Sequence, residues 1–459
     1  MKENRAFLVC LVWQGCLLTK DETGQLISMT YSAQDMQLPC SDPGILLTRR
    51  AFFTNLPTSI NHLHPFPIFL WQVNMFKNKY LSLALFVVTP LFLFACSDSN
   101  KADSTGMTPV LLSSTSIQST DSSTDGTSVV WSAKLSAGSQ TRIFFQKPEG
   151  TAAPQVISPD VGWIDGGDSL WHVVVHDNLV VWRAWDGASY RIYAYDLSDA
   201  SPEVVDISGA IESVDVFHTR GRIVVWVGNN NIVHCYNFDT DEQVDFPVTI
   251  SDSDPFPKTD GRFVTWMAGL WPTFDIYVCD LDADSPTPIK LTNGGWNAHP
   301  VVHNGIVAWY GGGGGSSDEI YYADANGASP AVVRVTNNSV ADDYPQISDG
   351  IIVWAASDGT DNEIYYYDTQ AASPHIVKVT DNTTNDGLWP SIPRIENDLI
   401  VWSGVLSGVT GSEIFYYDLQ AENPKVVRLT DNALDDQKPR VSGGMISWIA
   451  GGETYAAWQ

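Results

Sequence analysis

Tyr344-Pro345-Gln346-Ile347-Ser348, then Asp349-Gly350, then Ile351-Ile352-Val353-Trp354 read as two short strands joined by a tight turn. Glu363-Ile364-Tyr365-Tyr366-Tyr367-Asp368 follows as a third strand. Ala372-Ser373-Pro374 then breaks the chain before a fourth, Ile376-Val377-Lys378-Val379-Thr380. β-Branched and aromatic residues fenced by Gly, Pro, Asn and Asp favour antiparallel strands, and Asp-Gly tolerates the positive φ that two-residue hairpins need. The unit recurs. Val/Ile-x-Trp tripeptides place tryptophans at Trp131, Trp182, Trp226, Trp266, Trp309, Trp354, Trp402 and Trp448, with steps of 51, 44, 40, 43, 45, 48 and 46 residues. A period near 45 with four strands per copy is the signature of a β-propeller.

The turn before the Trp strand reads Asp177-Asn178, Asp260-Gly261, Asn304-Gly305, Asp349-Gly350, Asn397-Asp398 and Gly443-Gly444. The last copy, Glu453-Thr454-Tyr455-Ala456-Ala457-Trp458, stops one strand short. Pro109-Val110-Leu111-Leu112-Ser113-Ser114 resembles the fourth strand Pro424 to Thr430 and is expected to complete that blade, closing the ring and removing both free edges. The expected fold is therefore all-β, an eight-bladed propeller of four-stranded antiparallel blades closed by an N-terminal strand. Seven blades is the alternative, because the first copy is irregular.

Asp342-Asp343-Tyr344-Pro345 through Trp354 to Asn362-Glu363-Ile364-Tyr365-Tyr366-Tyr367-Asp368 resembles the TolB-type propeller repeat and the tandem propeller repeats of microbial cell-surface proteins. The resemblance spans roughly residues 109 to 459 and implies architecture more than activity.

Upstream, Met75-Phe76-Lys77-Asn78-Lys79-Tyr80 is a basic start to the apolar run Leu81 to Phe94, which has the form of a secretory signal. Leu93-Phe94-Ala95-Cys96 resembles a bacterial lipoprotein box, which implies Cys96 as the lipidated residue. The expected organisation is an unstructured N-terminal extension at 1–74 preceding the true start, a signal peptide at 75–95, a flexible tether at 96–107 and the propeller at 108–459. That places the protein in the cell envelope, on the outer membrane, a periplasmic face or the cell surface, touching membrane only through its anchor.

The chain holds 25 basic and 53 acidic residues, a net charge of −28. The first 95 residues contain 7 basic and 5 acidic ones, leaving 18 basic against 48 acidic in the remainder. So acidic a chain lacks the basic face that phosphate backbones require, which excludes nucleic acid as a partner. Cys235 and Cys279 read as the same third-strand position of consecutive blades, too far apart for a disulfide and so buried free thiols.

The repeating tryptophans read as packing. Five others, Trp163, Trp185, Trp271, Trp296 and Trp389, fall in loops between second and third strands or in crossings between blades, which emerge on one face. A ring of aromatic bulk there would form a recognition surface; the plainer reading is that each plugs the gap between its own blades. Residues before first-strand prolines, Phe256, His299, Tyr344 and Lys438, are expected to point into the channel at the same mouth. The nearby carboxylates Asp254, Asp342, Asp343, Asp435 and Asp436 fit Asx-type capping better than an ion site. No metal or other cofactor is expected, Ca2+ being the one ion they could hold. His172 and His299 lack a ligand set of recognisable spacing, although TolB-like propellers include a pectate-oligomer lyase with a histidine metal site. Gly167-Asp168-Ser169-Leu170 spells an esterase motif outside the strand-to-helix turn that chemistry needs. Gly311 to Gly315 reads as a flexible loop.

With no catalytic set, the expected function is a monomeric, non-catalytic scaffold binding a glycan or an envelope or surface protein. The alternative is a polysaccharide lyase or hydrolase at the channel mouth using His299, Tyr344, Lys438 and a carboxylate.

Overall fold

The computed structural model describes residues 107–113, 118–134, 141–148, 153–158, 173–209, 214–228, 231–248, 255–312, 317–387, 391–405 and 411–458, with short strands between residues 12 and 74. Two compact units divide the chain, Met1–Asn100 and Lys101–Gln459. In the first, Val12–Trp13, Cys16–Lys20 and Leu26–Thr30 form one antiparallel sheet, and Leu46–Ala51 pairs with Phe69–Asn74. The expected signal peptide, Cys96 and the tether to residue 106 lie outside the described residues, as do Trp163, His172, Asp254, Trp389 and the Gly-Asp-Ser-Leu segment.

The second unit is an eight-bladed propeller built from antiparallel sheets in chain order. Blade 6 shows the pattern: Asp342–Ser348, Ile351–Ser357, Asn362–Asp368 and Ile376–Lys378, each strand paired to the next. Blade 7 differs because its first strand is split into Asn385–Asp386 and Arg394–Glu396, both paired to Leu399–Val405. Blade 8 takes three strands from the C-terminus and its fourth, Val110–Leu111, from the N-terminus, with Tyr455 opposite Leu111 and Ala456 opposite Val110. The irregular first copy is a full blade, which excludes the seven-blade alternative.

Each signature tryptophan is at most 2% exposed. Each also stacks on the aromatic directly opposite it on the third strand. The ring centroids lie 5.7 Å apart for Trp131–Phe144, 5.9 Å for Trp354–Tyr365 and 6.0 Å for Trp402–Phe415. Such cross-strand pairs stabilise the sheet, and the indoles fill the wedge against the preceding blade. Trp402 packs with Val353 of blade 6, and Trp131 with Met445 and Ala456 of blade 8.

The hairpin turns carry the predicted backbone. Asp177, Asn178, Asn304, Gly305, Asp349, Gly350, Asn397, Asp398, Gly443 and Gly444 all have positive φ. Asp260 does not; there only Gly261 is left-handed, and Asp260 N–H bonds to Phe263 O in a longer turn. These turns also stitch blades together. Asn178 N–H donates to Asp125 Oδ2 (3.2 Å), Gly305 N–H to Asp260 Oδ2 (3.0 Å) and Asn304 Nδ2 to Asp349 Oδ1 (2.9 Å). Where blade 8 meets blade 1, two glycines touch back to back: a Cβ on Gly126 would stand 2.7 Å from Gly443 Cα.

Cys235 and Cys279 are buried free thiols. They are not equivalent, however. Cys235 lies one residue beyond the partner of Trp226, whereas Cys279 lies two beyond the partner of Trp266. The two blades carry different registers of the same text, which the sequence spacing hid. Among the described residues no helix is long and apolar enough to cross a membrane.

Candidate functional site

Phe256, His299, Tyr344 and Lys438 adopt φ of 47°, 48°, 48° and 54°, each immediately before a proline. Left-handed φ is uncommon for bulky residues, and such strain collects where surrounding structure holds a site in place. In blades 5, 6 and 8 the strained residue sits in a β-bulge that aims it off the sheet. Three of the four converge. His299 lies 4.0 Å from Phe256 and 4.8 Å from Tyr344, ring centroid to ring centroid, and stacks on Tyr310 at 5.5 Å. Lys438 stands apart, its Nζ donating to Thr120 O of blade 1 at 3.0 Å.

This packing determines the chemistry available. Burial, then the Lys258 charge, pushes the His299 imidazole down to about 3. A ring that stays neutral at every physiological pH cannot shuttle protons there. Above pH 6.5 the ring is neutral folded or unfolded. Below that, the unfolded chain binds a proton that the native ring refuses until about pH 3, so stability falls as the pH drops. His299→Phe, which keeps the aromatic packing, should leave Tm at pH 8 within a few degrees of the parent. It should also flatten the fall in Tm between pH 6.5 and 4, measured calorimetrically.

The tryptophans do not form a ring among the described residues. Trp271 and Trp296 meet edge to face at 5.2 Å, and Trp296 also abuts Phe274 at 5.5 Å. Trp185 is in blade 2, against Tyr190. Two of these positions are strand residues rather than loop residues: Trp185 ends the strand Leu179–Trp185 and Trp296 begins Trp296–His303. Trp296 and Asn297 pair with Gly312 and Gly311, so the glycine run starts inside a strand. A Cβ at Gly311 would come within 2.5 Å of Trp296 O, which is why glycine stands there. Trp185 and Trp296 are half-buried, whereas Trp271 is 68% exposed and its neighbour Leu270 59%.

Asp342, Asp435 and Asp436 have structural roles. Asp342 accepts the Trp354 indole N–H at 2.7 Å and an Asn338 amide at 2.6 Å; Asp436 does the same for Trp448 (2.7 Å) and Asn432 (2.8 Å). Asp435 accepts Ser412 N–H and Oγ–H. Burial raises the carboxyls of Asp343 and Asp436 to about 6. Among the described residues one acidic trio, Asp358, Asp361 and Glu363, could share an ion, its ligand atoms lying within 4.8 Å of one another. Lys378 already supplies a cation, its Nζ 2.9 Å from Asp358 and 3.5 Å from Glu363.

Sequence reasoning missed the channel below this mouth. A cavity of about 160 Å³ runs between the innermost strands, lined by His176, His218, Arg220, Lys258, Arg394, Glu396 and Arg440 among others. Stepping two residues at a time along each first strand, as side chains alternate, would have found them. His218, Lys258, Arg394 and Arg440 stand eight residues before their tryptophans, and Arg220 and Glu396 six before. The histidines tie blades together. His176 Nδ1 accepts Gly221 N–H (2.9 Å), His218 Nδ1 accepts Thr259 N–H (3.3 Å) and His303 Nδ1 accepts Asp349 N–H (2.9 Å). Arg220 Nη2 donates to Glu396 Oε1 at 3.1 Å, crossing from blade 3 to blade 7.

No protein-family model matches the chain, and no curated protein matches it. Solved structures match its fold. The propeller domain of a trilobed protease from Pyrococcus furiosus, described as having an open velcro topology, is 12% identical, with 69% of this chain and 98% of that one covered at a TM-score of 0.45. The computationally designed Ika8 protein is 14% identical over 76% of this chain and 98% of its own, with a TM-score of 0.49. The Dos1 propeller is 12% identical over 76% and 94%, also at 0.49. These likenesses concern the fold alone; it is the chain's own strand order that makes it a β-propeller.

Proposed function

We propose that this propeller is a lipid-anchored envelope protein of the TolB-like repeat type that holds a glycan on its aromatic side without turning it over. The supporting observation is the tip of the second hairpin of blade 4. Leu270, which ends its strand, and Trp271, in the two-residue turn that follows, stand 59% and 68% exposed, with the Trp296 ring edge-on to Trp271. Apolar bulk that no blade interface absorbs marks a recognition surface, and flat indole faces suit sugar rings. The strained mouth residues fit positioning rather than chemistry, because a His299 held down to about 3 is not an imidazolium acid at neutral pH and is only a weak base. Cys96 supplies the anchor, and the tether from it leads into the strand Val110–Leu111.

The test is binding by Trp271→Ala/Trp296→Ala to an array of envelope glycans and to a pool of surface proteins. The parent should retain a glycan and the double variant should lose at least tenfold in affinity. Unchanged glycan binding by the double variant would refute this reading. Retention of a surface protein alone would replace the glycan with a protein partner.

A further inference from the structure

Only 18 basic residues follow Cys96, against 48 acidic ones in the same stretch. Four of the 18, Arg220, Lys258, Arg394 and Arg440, line one cavity of about 160 Å³. They come from blades 3, 4, 7 and 8, so sequence proximity does not explain the cluster. Glu396 is the one carboxylate among the lining residues, and it is engaged by Arg220 at 3.1 Å. Asp121 adds a partial partner, its Oδ1 3.6 Å from Arg440 Nη2. Among the described residues the cavity therefore carries more positive than negative charge, inside a protein that is strongly negative elsewhere.

Buried like charges destabilise one another unless a counter-charge lies between them. Burial, followed by the charges of Arg394 and Arg440, pushes the Lys258 ammonium down to about 7. Arg394 is lowered by burial and then by Arg440, against a raising contribution from Asp121. Being internal, the excess positive charge does nothing for solubility, and it costs free energy where it is not compensated. A ligand that supplies negative charge would reverse that sign.

The ligand's size and shape follow. A cavity of roughly 150 Å³ accommodates a six-carbon ring, so this one admits about six to eight heavy atoms. Guanidinium forks prefer planar or tetrahedral oxyanions, which they grip with paired hydrogen bonds. The acidic exterior repels an extended polyanion, whereas a small ion can reach a focused positive potential. We infer that the central channel is a binding site for a small multivalent oxyanion, an inorganic phosphate or a short dicarboxylate, held by Arg394, Arg440 and Lys258 with Arg220 below. The site is separate from the aromatic tip and does not depend on it.

The experiment is titration of the purified full-length protein with sodium phosphate or sodium succinate at fixed ionic strength and pH 7. Heat of binding and Tm are both read, with sodium chloride as the control. Saturable binding and a Tm that rises with occupancy are expected for at least one of the two anions. Saturation separates binding from the general stabilisation that excluded salts give any protein. Arg394→Gln should weaken the apparent Kd at least tenfold. Lys258→Met, which removes a repelled charge, should fold with a Tm at or above the parent's while responding less to the anion. It therefore keeps the test decisive if the arginine variant fails to fold. A response confined to phosphate or to succinate identifies the anion. A response no greater than with chloride, or variants that respond like the parent, would overturn the inference.

Discussion

Trp354→Ala should cost the protein about 3–5 kcal/mol, enough to unfold a marginal domain. The indole is 1% exposed and stacked on Tyr365, so truncation opens a cavity between blades 5 and 6 that neither sheet can collapse into. It also takes the indole N–H, accepted at 2.7 Å in a buried setting, from Asp342 Oδ1, leaving the Asn338 amide on Oδ2. An unsatisfied buried acceptor adds a desolvation penalty to the cavity. The natural contrast is blade 5, where an amide takes the same role: Trp309 Nε1 donates to Asn297 Oδ1 at 3.1 Å. Asp436→Asn should therefore be tolerated. Its pH signature has a definite sign. The native carboxyl holds its proton up to about pH 6, the unfolded one only to about 3.8, so this group favours the fold increasingly as pH falls between those values. The Asn variant should lose that rise and be no less stable than the parent above pH 6. Urea midpoints at pH 5 and 7.5 for the three proteins check each statement.

Removing residues 1–113 should be at least as damaging. Leu112 is 5% exposed in a core shared with Val129, Trp131, Met445 and Ala456. Its N–H bonds to Thr454 O at 2.9 Å, and Ser113 Oγ accepts Thr454 N–H at 2.8 Å. Leu112→Ala alone should cost about 2–5 kcal/mol. Full removal also bares the edge Glu453–Trp458, a template for pairing between molecules. The truncated protein should melt well below the parent and aggregate, as read by calorimetry and light scattering. A synthetic peptide spanning 107–113 should partly restore Tm. A truncated protein that stayed monomeric with an unchanged Tm would show that closure does not rest on this strand.

Much of this architecture was legible because its causes are local. The turn residues impose positive φ at every one of the Asn, Asp or Gly pairs except Asp260-Gly261, where only the glycine takes it, and the tryptophan fixes register by stacking on the strand beside it. The borrowed strand could be read for the same reason, since Pro109 to Ser114 repeats the text of Pro424 to Thr430. The channel was not legible. A lone Lys258 or Arg394 in a first strand looks like an ordinary polar position. Val174, Val301 and Gln346 fill the same place in other blades and dilute the pattern. Only closing the ring brings the cations to one cavity. The aromatic surface was partly misread for the opposite reason. Trp185 and Trp296 look like loop residues because glycine and polar text flanks them, yet Gly311 and Gly312 let the strand run on beneath Trp296.

Joining the first propeller strand to the last has a temporal consequence. Leu111 pairs with Tyr455, so at roughly 5–20 residues per second of synthesis the early strand waits on the order of 20 to 70 s for its mate. Throughout that interval the nascent molecule is an unfinished arc with two sticky borders. Whatever escorts it through biogenesis must shield those borders until the final residues emerge.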